Sequence, residues 1–170
     1  QNDVSQLGVT RPVVIDESDN ELDVFPRARH LGYRGVSSKT CKGIYKSIIN
    51  AARCAIWNEQ EGRHYYFMTG EDLSTQPGIA LQQDLALVSI LGIEHLERNG
   101  HHYVRGLSAV PRSEQKAFLD AHSDLYTDTD GFVRVHIQGG RLVISSLSCT
   151  GFGTRALPHW DSMREVTLKF

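Results

Sequence analysis

Four short segments, Arg11–Asp16, Tyr33–Lys39, Arg63–Thr69 and Ile93–Glu97, read as strands, the first for its branched apolar run and the third for its aromatics, and a stretch with helical potential follows each of them. A strand-then-helix unit repeated four times at roughly 25-residue spacing leaves little freedom of architecture, because parallel neighbours in one sheet need a helical crossover between them. The first segment carries Val13-Val14-Ile15 without a polar break, the pattern of a strand covered on both faces. The expected fold class is therefore α/β, built from parallel β/α units.

The intervening helices have their own punctuation. Asn20–Leu31 is a short amphipathic helix that Pro26 should end or kink in its first turn, and Gly32 stops it. In Gly43–Gln60, residues Ile44, Ile48, Ala51, Ala52, Ala55 and Ile56 keep one face apolar, as in a core-facing helix. Gln76–Leu91 has Pro77 near its first turn and Gly92 just past its end, with Ile79, Leu81, Leu85, Val88 and Leu91 as the buried side. Ser113–His122 is a fourth helix, with Ser113 placed to cap it. After Asp124 the texture changes: Asp128–Gly131 signals a turn, and Phe132–Ile137 and Arg141–Leu147 look like paired short strands joined around Gly139-Gly140. The expected division is 1–122 for the β/α units and 123–170 for a β-rich C-terminal segment.

With 170 residues, 40% of them hydrophobic, the chain can bury a core and form one domain or part of a larger one. A net charge of −2 offers no electrostatic case for nucleic acid or an anionic membrane. The apolar runs are too short for a membrane span, and no signal peptide is visible. Cys41, Cys54 and Cys149 are scattered without metal-ligand spacing, which predicts reduced thiols in a cytoplasmic protein. The chain opens on Gln1, and its methionines are Met68 and Met163, as expected of a segment cut from a longer chain.

Every predicted strand ends in a polar cluster: Asp16-Glu17, Lys39, Glu71-Asp72 and Glu97-Arg98-Asn99. In a β/α barrel such ends converge on one mouth, where the chemistry is placed. Asp16 and Glu17 are hard oxygen ligands suited to Mg2+, and Glu71 and Glu97 can add further ligands or act as hydrogen-bonding acids. Burial of Lys39 at a strand end predicts a lowered pKa and use as a general base, whereas Lys42, which begins the next helix, fits a solvated surface charge. His101-His102 cannot share one strand face, which argues against zinc, and the roles of His95, His101 and His102 stay open. Ser37-Ser38 and Ser74-Thr75 lack a nucleophile elbow, Cys41 lacks an assignable histidine, and no phosphate-loop or dinucleotide glycine pattern occurs.

Pro12–Ser18 (PVVIDES), followed 23 positions after Asp16 by a lysine in Lys39–Gly43 (KTCKG), resembles the enolase superfamily, in its mandelate racemase and muconate-lactonizing branch. In that family the fifth barrel strand ends in D-E and supplies the third Mg2+ ligand, and in lactonizing-type members the sixth supplies a lysine acid/base. The resemblance implies Asp16 as metal ligand, Glu17 as the second choice, and Lys39 as the acid/base. Glu71 falls where the seventh strand of lactonizing-type enzymes carries a glutamate. Leu96-Glu97-Arg98 resembles the L-E-R of the eighth strand of racemase-type members, whose glutamate donates a hydrogen bond. The tail from Asp130-Gly131 to Gly151-Phe152-Gly153 resembles the family's return toward its capping domain, with Thr150 where the family has proline.

The resemblance runs from Pro12 to Gly153 and implies strands five to eight of a (β/α)8 barrel of the triosephosphate isomerase type plus a short β-rich tail. The family's first two metal ligands and its K-x-K base motif have no counterpart here, and the racemase-type histidine has none at Thr69–Asp72. The implied activity of the complete protein is removal of the proton α to a carboxylate, with Mg2+ stabilising the enediolate: a dehydratase, cycloisomerase or racemase acting on an acid-sugar or hydroxy-acid carboxylate. The implied partners are that substrate and either the other half of the barrel or a second copy in a homo-oligomer. A catalytically silent half-barrel, kept as a structural or assembly module, is the alternative. A flavodoxin-like binding domain would require phosphate-loop glycines that the chain lacks.

Overall fold

The computed structural model describes residues 2–71, 75–163 and 165. They fall into two compact units, one within 1–73 and 87–98, the other within 74–86 and 99–170. Asp72 and Ser74, named above, lie outside the described residues.

The first unit holds a four-stranded sheet: β1 (Val14–Ile15), β2 (Gly35–Ser38), β3 (Phe67–Glu71) and β4 (Leu96–Glu97), in the order β1-β2-β3-β4. Each neighbouring pair is parallel, so the mixed α/β class with a parallel sheet is as expected. The strands are shorter than the apolar runs. The third begins at Phe67 rather than Arg63, because the Tyr65 and Tyr66 N–H groups donate to Asn58 Oδ1, at 2.8 and 2.6 Å, instead of to a strand. It also runs on to Glu71, which brings that carboxylate into the ladder.

Side chains alternate across a strand, so parity along the sequence decides which side each one serves. Ile15 and its register partner Val36 lie in the core with Val24, Phe25 and Ala28 of α2 (Val24–His30). Val14, Gly35 and Phe67 occupy the other face, where a Cβ on Gly35 would come within 2.9 Å of the Phe67 ring and 3.0 Å of Val14 Cγ2. The missing side chain at Gly35 leaves room for the Phe67 ring and the Val14 methyl to close over β2. Asp16, Ser37, Lys39 and Glu71 share the parity of this second face.

Pro26 sits in the first turn of α2, where its missing N–H costs nothing, so the helix is neither ended nor broken there. A further short helix, α1 (Ser5–Gly8), precedes the sheet. The long helix α3 (Ile44–Glu61) lies where the sequence puts it, but the face it buries is a correction. Its buried residues are Lys46, Ser47, Asn50 and Cys54, while Ile48 and Ile56 are about half exposed. The polar face can go inward because each polar group has a partner there, such as Ser38 for Ser47 and Asp19 for Lys46.

Helix α4 (Ile79–Ile90) is buried on nearly every side, its first part in the second unit and its last turn in the first. The second unit adds α5 (Arg112–Ala121) and an antiparallel hairpin, β5 (Tyr126–Thr129) with β6 (Phe132–Val135). Two expectations fail here. The residue before α5 is Pro111, and no side chain caps the helix, so Ser113 lies inside it. The hairpin forms around Asp130-Gly131 rather than Gly139-Gly140, because both turn residues take the left-handed conformation that a two-residue turn demands, at φ 59° and 84°. Beyond it, the expected pairing is reduced to a single bridge, Gln138–Arg141, and Ser145–Leu147 is a 3-10 turn. The buried Tyr126 hydroxyl accepts hydrogen bonds from Gly78 N–H at 2.9 Å and Gln82 Nε2 at 3.0 Å, which fix the start of α4. No helix of the described residues is long and apolar enough to cross a membrane.

Candidate functional site

Because β1, β2 and β3 are parallel, their carboxyl ends share one edge of the sheet, and the residues at those ends meet. Lys39 follows β2 and stands between the acids of both neighbours. Its Nζ lies 2.6 Å from Glu71 Oε2, 3.2 Å from Asp16 Oδ1 and 3.4 Å from Glu17 Oε1. Lys42, in the 3-10 turn Thr40–Lys42 after β2, adds a second ammonium group. It donates to Asp16 Oδ1 at 3.0 Å, to the Asp16 carbonyl at 2.9 Å and to Ser37 Oγ at 2.9 Å. The Ser37 hydroxyl in turn donates to Asp16 Oδ1. Glu71 is almost fully buried, Asp16 half-buried and Glu17 exposed.

Low exposure and close charges set the protonation of this group. Burial pushes the Asp16 carboxyl up, but hydrogen bonds with Glu71, Ser37, Lys42 and Lys39 outweigh it and hold the group well below the usual carboxylate range. Glu71 moves the other way: burial, and then its hydrogen bond with ionised Asp16, raise it against the pull of Lys39. Of the two carboxyls, Asp16 is therefore the more readily ionised. For Lys39 the expected direction is reversed. Burial pushes its pKa down, but Glu71 and Asp16 push it up further, and it is held firmly protonated.

The structure brings together Asp16, Glu17, Lys39 and Glu71 among the residues singled out in the sequence. Glu97 lies one strand further on, in register with Glu71 and exposed. His95, His101 and His102 are exposed, and the last two rings sit 4.0 Å apart, centroid to centroid. Lys42, read above as a surface charge, is a working member of the cluster with a side chain only 12% exposed. Nothing local in the sequence marks it, because its carboxylate partner Asp16 lies 26 residues away.

Asp16, Glu17 and Glu71 each offer a carboxylate oxygen within 4.8 Å of the others. An all-oxygen donor set of this size fits a hard divalent cation such as Mg2+ rather than a thiophilic metal. A cleft of about 660 Å3, lined in part by Cys54, Asn58, Tyr66 and Phe67, opens in the same unit at the amino-terminal end of β3. It is therefore remote from the carboxylates that follow the strands. Compared with known proteins, the chain matches no family model, no curated protein and no solved structure.

Proposed function

We propose that this chain supplies the acid/base and one metal-ligand strand of a Mg2+-assisted enzyme that removes the proton α to a carboxylate, as the resemblance to the enolase superfamily implies. The observation that carries the reading is Lys39, held by Asp16, Glu17 and Glu71 at the carboxyl ends of three adjacent parallel strands. Strands that follow one another in the sheet without a change of direction also suit part of a (β/α)8 barrel, strands five to eight, better than a doubly wound sheet.

Asp16 and Glu17, with Glu71 beside them, would hold the ion. Mg2+, when bound, would offset the negative charge that develops on the substrate carboxylate as its α-proton leaves. Lys39 would exchange that proton at Nζ. Its burial favours the neutral amine and its carboxylates favour the ammonium, so its basicity is set by how those acids are engaged. Lys42 and Ser37 keep the Asp16 carboxylate oriented on the site face. Glu97 or Glu71 would hydrogen-bond the substrate or assist departure of a leaving group. β1 and β4 are the outer strands of the sheet among the described residues, and the isoleucines of α3 are exposed. Both features suit a chain that completes itself with another half-barrel or with a second copy.

The experiment is proton exchange. The protein is incubated in heavy water with Mg2+ and a panel of 2-hydroxy and sugar-acid carboxylates, and loss of the α-proton signal is followed by NMR. Exchange that disappears in Lys39→Ala supports the reading, and exchange with no member of the panel, or undiminished in Lys39→Ala, contradicts it. A second reading, the silent structural module, draws on one observation: Lys39 and Lys42 already neutralise Asp16, so the cluster also makes sense as an ion-pair network that ties three strand ends together. Under that reading Lys39→Ala changes stability and no activity exists to lose.

A further inference from the structure

The turn Asp16–Asp19 (DESD) and the segment Lys39–Lys46 (KTCKGIYK) meet charge against charge, although a whole β/α unit separates them in the chain. Lys39 stands 3.4 Å from Glu17, Lys42 stands 3.0 Å from Asp16, and Lys46 stands 3.0 Å from Asp19. The first two contacts belong to the site described above. The third lies away from the clustered carboxylates and is buried, with Asp19 2% and Lys46 7% exposed.

A buried ion pair of this kind is poor evidence for stability, because desolvation of both charges cancels most of their attraction. What the pair holds is more telling. The Asp19 N–H donates to the Asp16 carbonyl at 2.8 Å, closing the turn that carries Asp16 and Glu17. Lys46 also donates to the carbonyl of Asp19 itself. One helix position further on, Ser47 Oγ lies 2.9 Å from Ser38 Oγ, joining α3 to the end of β2. The Asp19 carboxylate has an oxygen, Oδ1, that is buried with no hydrogen-bond partner among the described residues, so it is not a cap for some other backbone group.

We infer that Asp19 and Lys46 are positioning residues: their buried pair clamps the Asp16–Asp19 turn to the first turn of α3 and so aims the Asp16 carboxylate along the site face. The inference rests on the reading of Asp16, Glu17 and Glu71 as Mg2+ ligands. Neither residue touches the ion or the substrate. They act through the backbone of Asp16, as groups behind a metal ligand commonly do.

The test replaces the pair with apolar residues of similar size, Asp19→Leu with Lys46→Met, an exchange that buried ion pairs tolerate without loss of folding. Asp19→Asn, which keeps the shape and removes the charge, is the second variant should the first not fold. Two quantities are measured on folded protein: the Mg2+ dissociation constant by calorimetry, and hydrogen exchange of the residue 19 amide by NMR. The inference predicts Mg2+ binding about tenfold weaker, at the lower end of the effect of such outer groups, and faster exchange at residue 19. Unchanged exchange at residue 19 overturns it, as does an unchanged Mg2+ dissociation constant. Should the unsubstituted protein bind no Mg2+, the metal reading fails, and the exchange rate alone then decides whether the pair clamps the turn.

Discussion

Lys39 Nζ lies 2.6 Å from Glu71 Oε2 across the β2–β3 register, so the charge of each residue governs the proton on the other. Lys39→Met is expected to lower α-proton exchange by about 10²–10⁴-fold, the usual contribution of a positioned acid/base. Glu71→Gln removes a partner that raises the Lys39 pKa. The amine is then available at lower pH, and the acidic limb of the exchange rate moves down the pH axis. A pH–rate profile of both variants checks this, and an unmoved limb in Glu71→Gln would break the link between the two residues.

The packing of the Phe67 ring and the Val14 side chain over β2 depends on Gly35. A methyl group there meets the Phe67 ring at 2.9 Å and Val14 Cγ2 at 3.0 Å. Gly35→Ala should therefore cost about 1–3 kcal/mol by overpacking, read from urea unfolding. Phe67→Leu in the same chain should restore part of the loss, since it removes the ring the methyl strikes. Additive rather than compensating effects would place the strain elsewhere.

The order of strands along the chain made the grouping of Asp16, Glu17, Lys39 and Glu71 at one sheet edge legible. The strand-end acids and Lys39 could be read from four decorated strand ends, and the parallel sheet follows from the helices between them. What could not be read depended on partners distant in the chain. Periodicity turned the isoleucines of α3 inward, but Lys46 and Ser47 find Asp19 and Ser38 on the sheet side, so the polar face is buried instead. Lys42 looked solvated for the same reason. The direction of the Lys39 shift required Glu71 to lie inside β3, two residues beyond the predicted strand. The hairpin was misplaced because Gly139-Gly140 and Asp130-Gly131 are both good turns, and only packing of β5 and β6 on α5 selects the second.

The thiols offer a probe of the first unit. Cys54 is 7% exposed, and burial pushes its pKa up to about 12, so it is a protonated and poorly reactive thiol in the folded chain. Cys41 is exposed. A thiol reagent followed by mass spectrometry should modify exposed Cys41 well before Cys54, whose largely buried thiol lines the cleft. Labelling of both at equal rates would contradict the burial of Cys54.

In the second unit, fully buried His122 keeps Nδ1 2.9 Å from Ser146 Oγ, and its Nε2 has no partner among the described residues. Burial lowers its pKa below the ordinary 6.5, against the pull of Asp124 and with the help of Arg155. The unfolded chain therefore takes up a proton at a pH where the folded chain does not, and stability falls as pH drops through and below 6.5. Asp124, whose carboxyl lies below its usual value, adds a further loss at lower pH as it is protonated. Urea midpoints between pH 8 and pH 5 should decline, and His122→Gln should flatten that decline; an equal decline in the variant would assign it to other groups.

The central claim is that Asp16, Glu17 and Glu71 hold a hard divalent cation, and paramagnetic Mn2+ tests it most directly, since it marks even weak sites. Mn2+ added to isotopically labelled protein should broaden the amide signals of residues 16, 17, 37–39 and 71 first. Excess Mg2+ should reverse the broadening, and Asp16→Asn should abolish it. Broadening spread over the whole acidic surface, or centred elsewhere and untouched by Asp16→Asn, would show that the cluster is an ion-pair network and not a metal site.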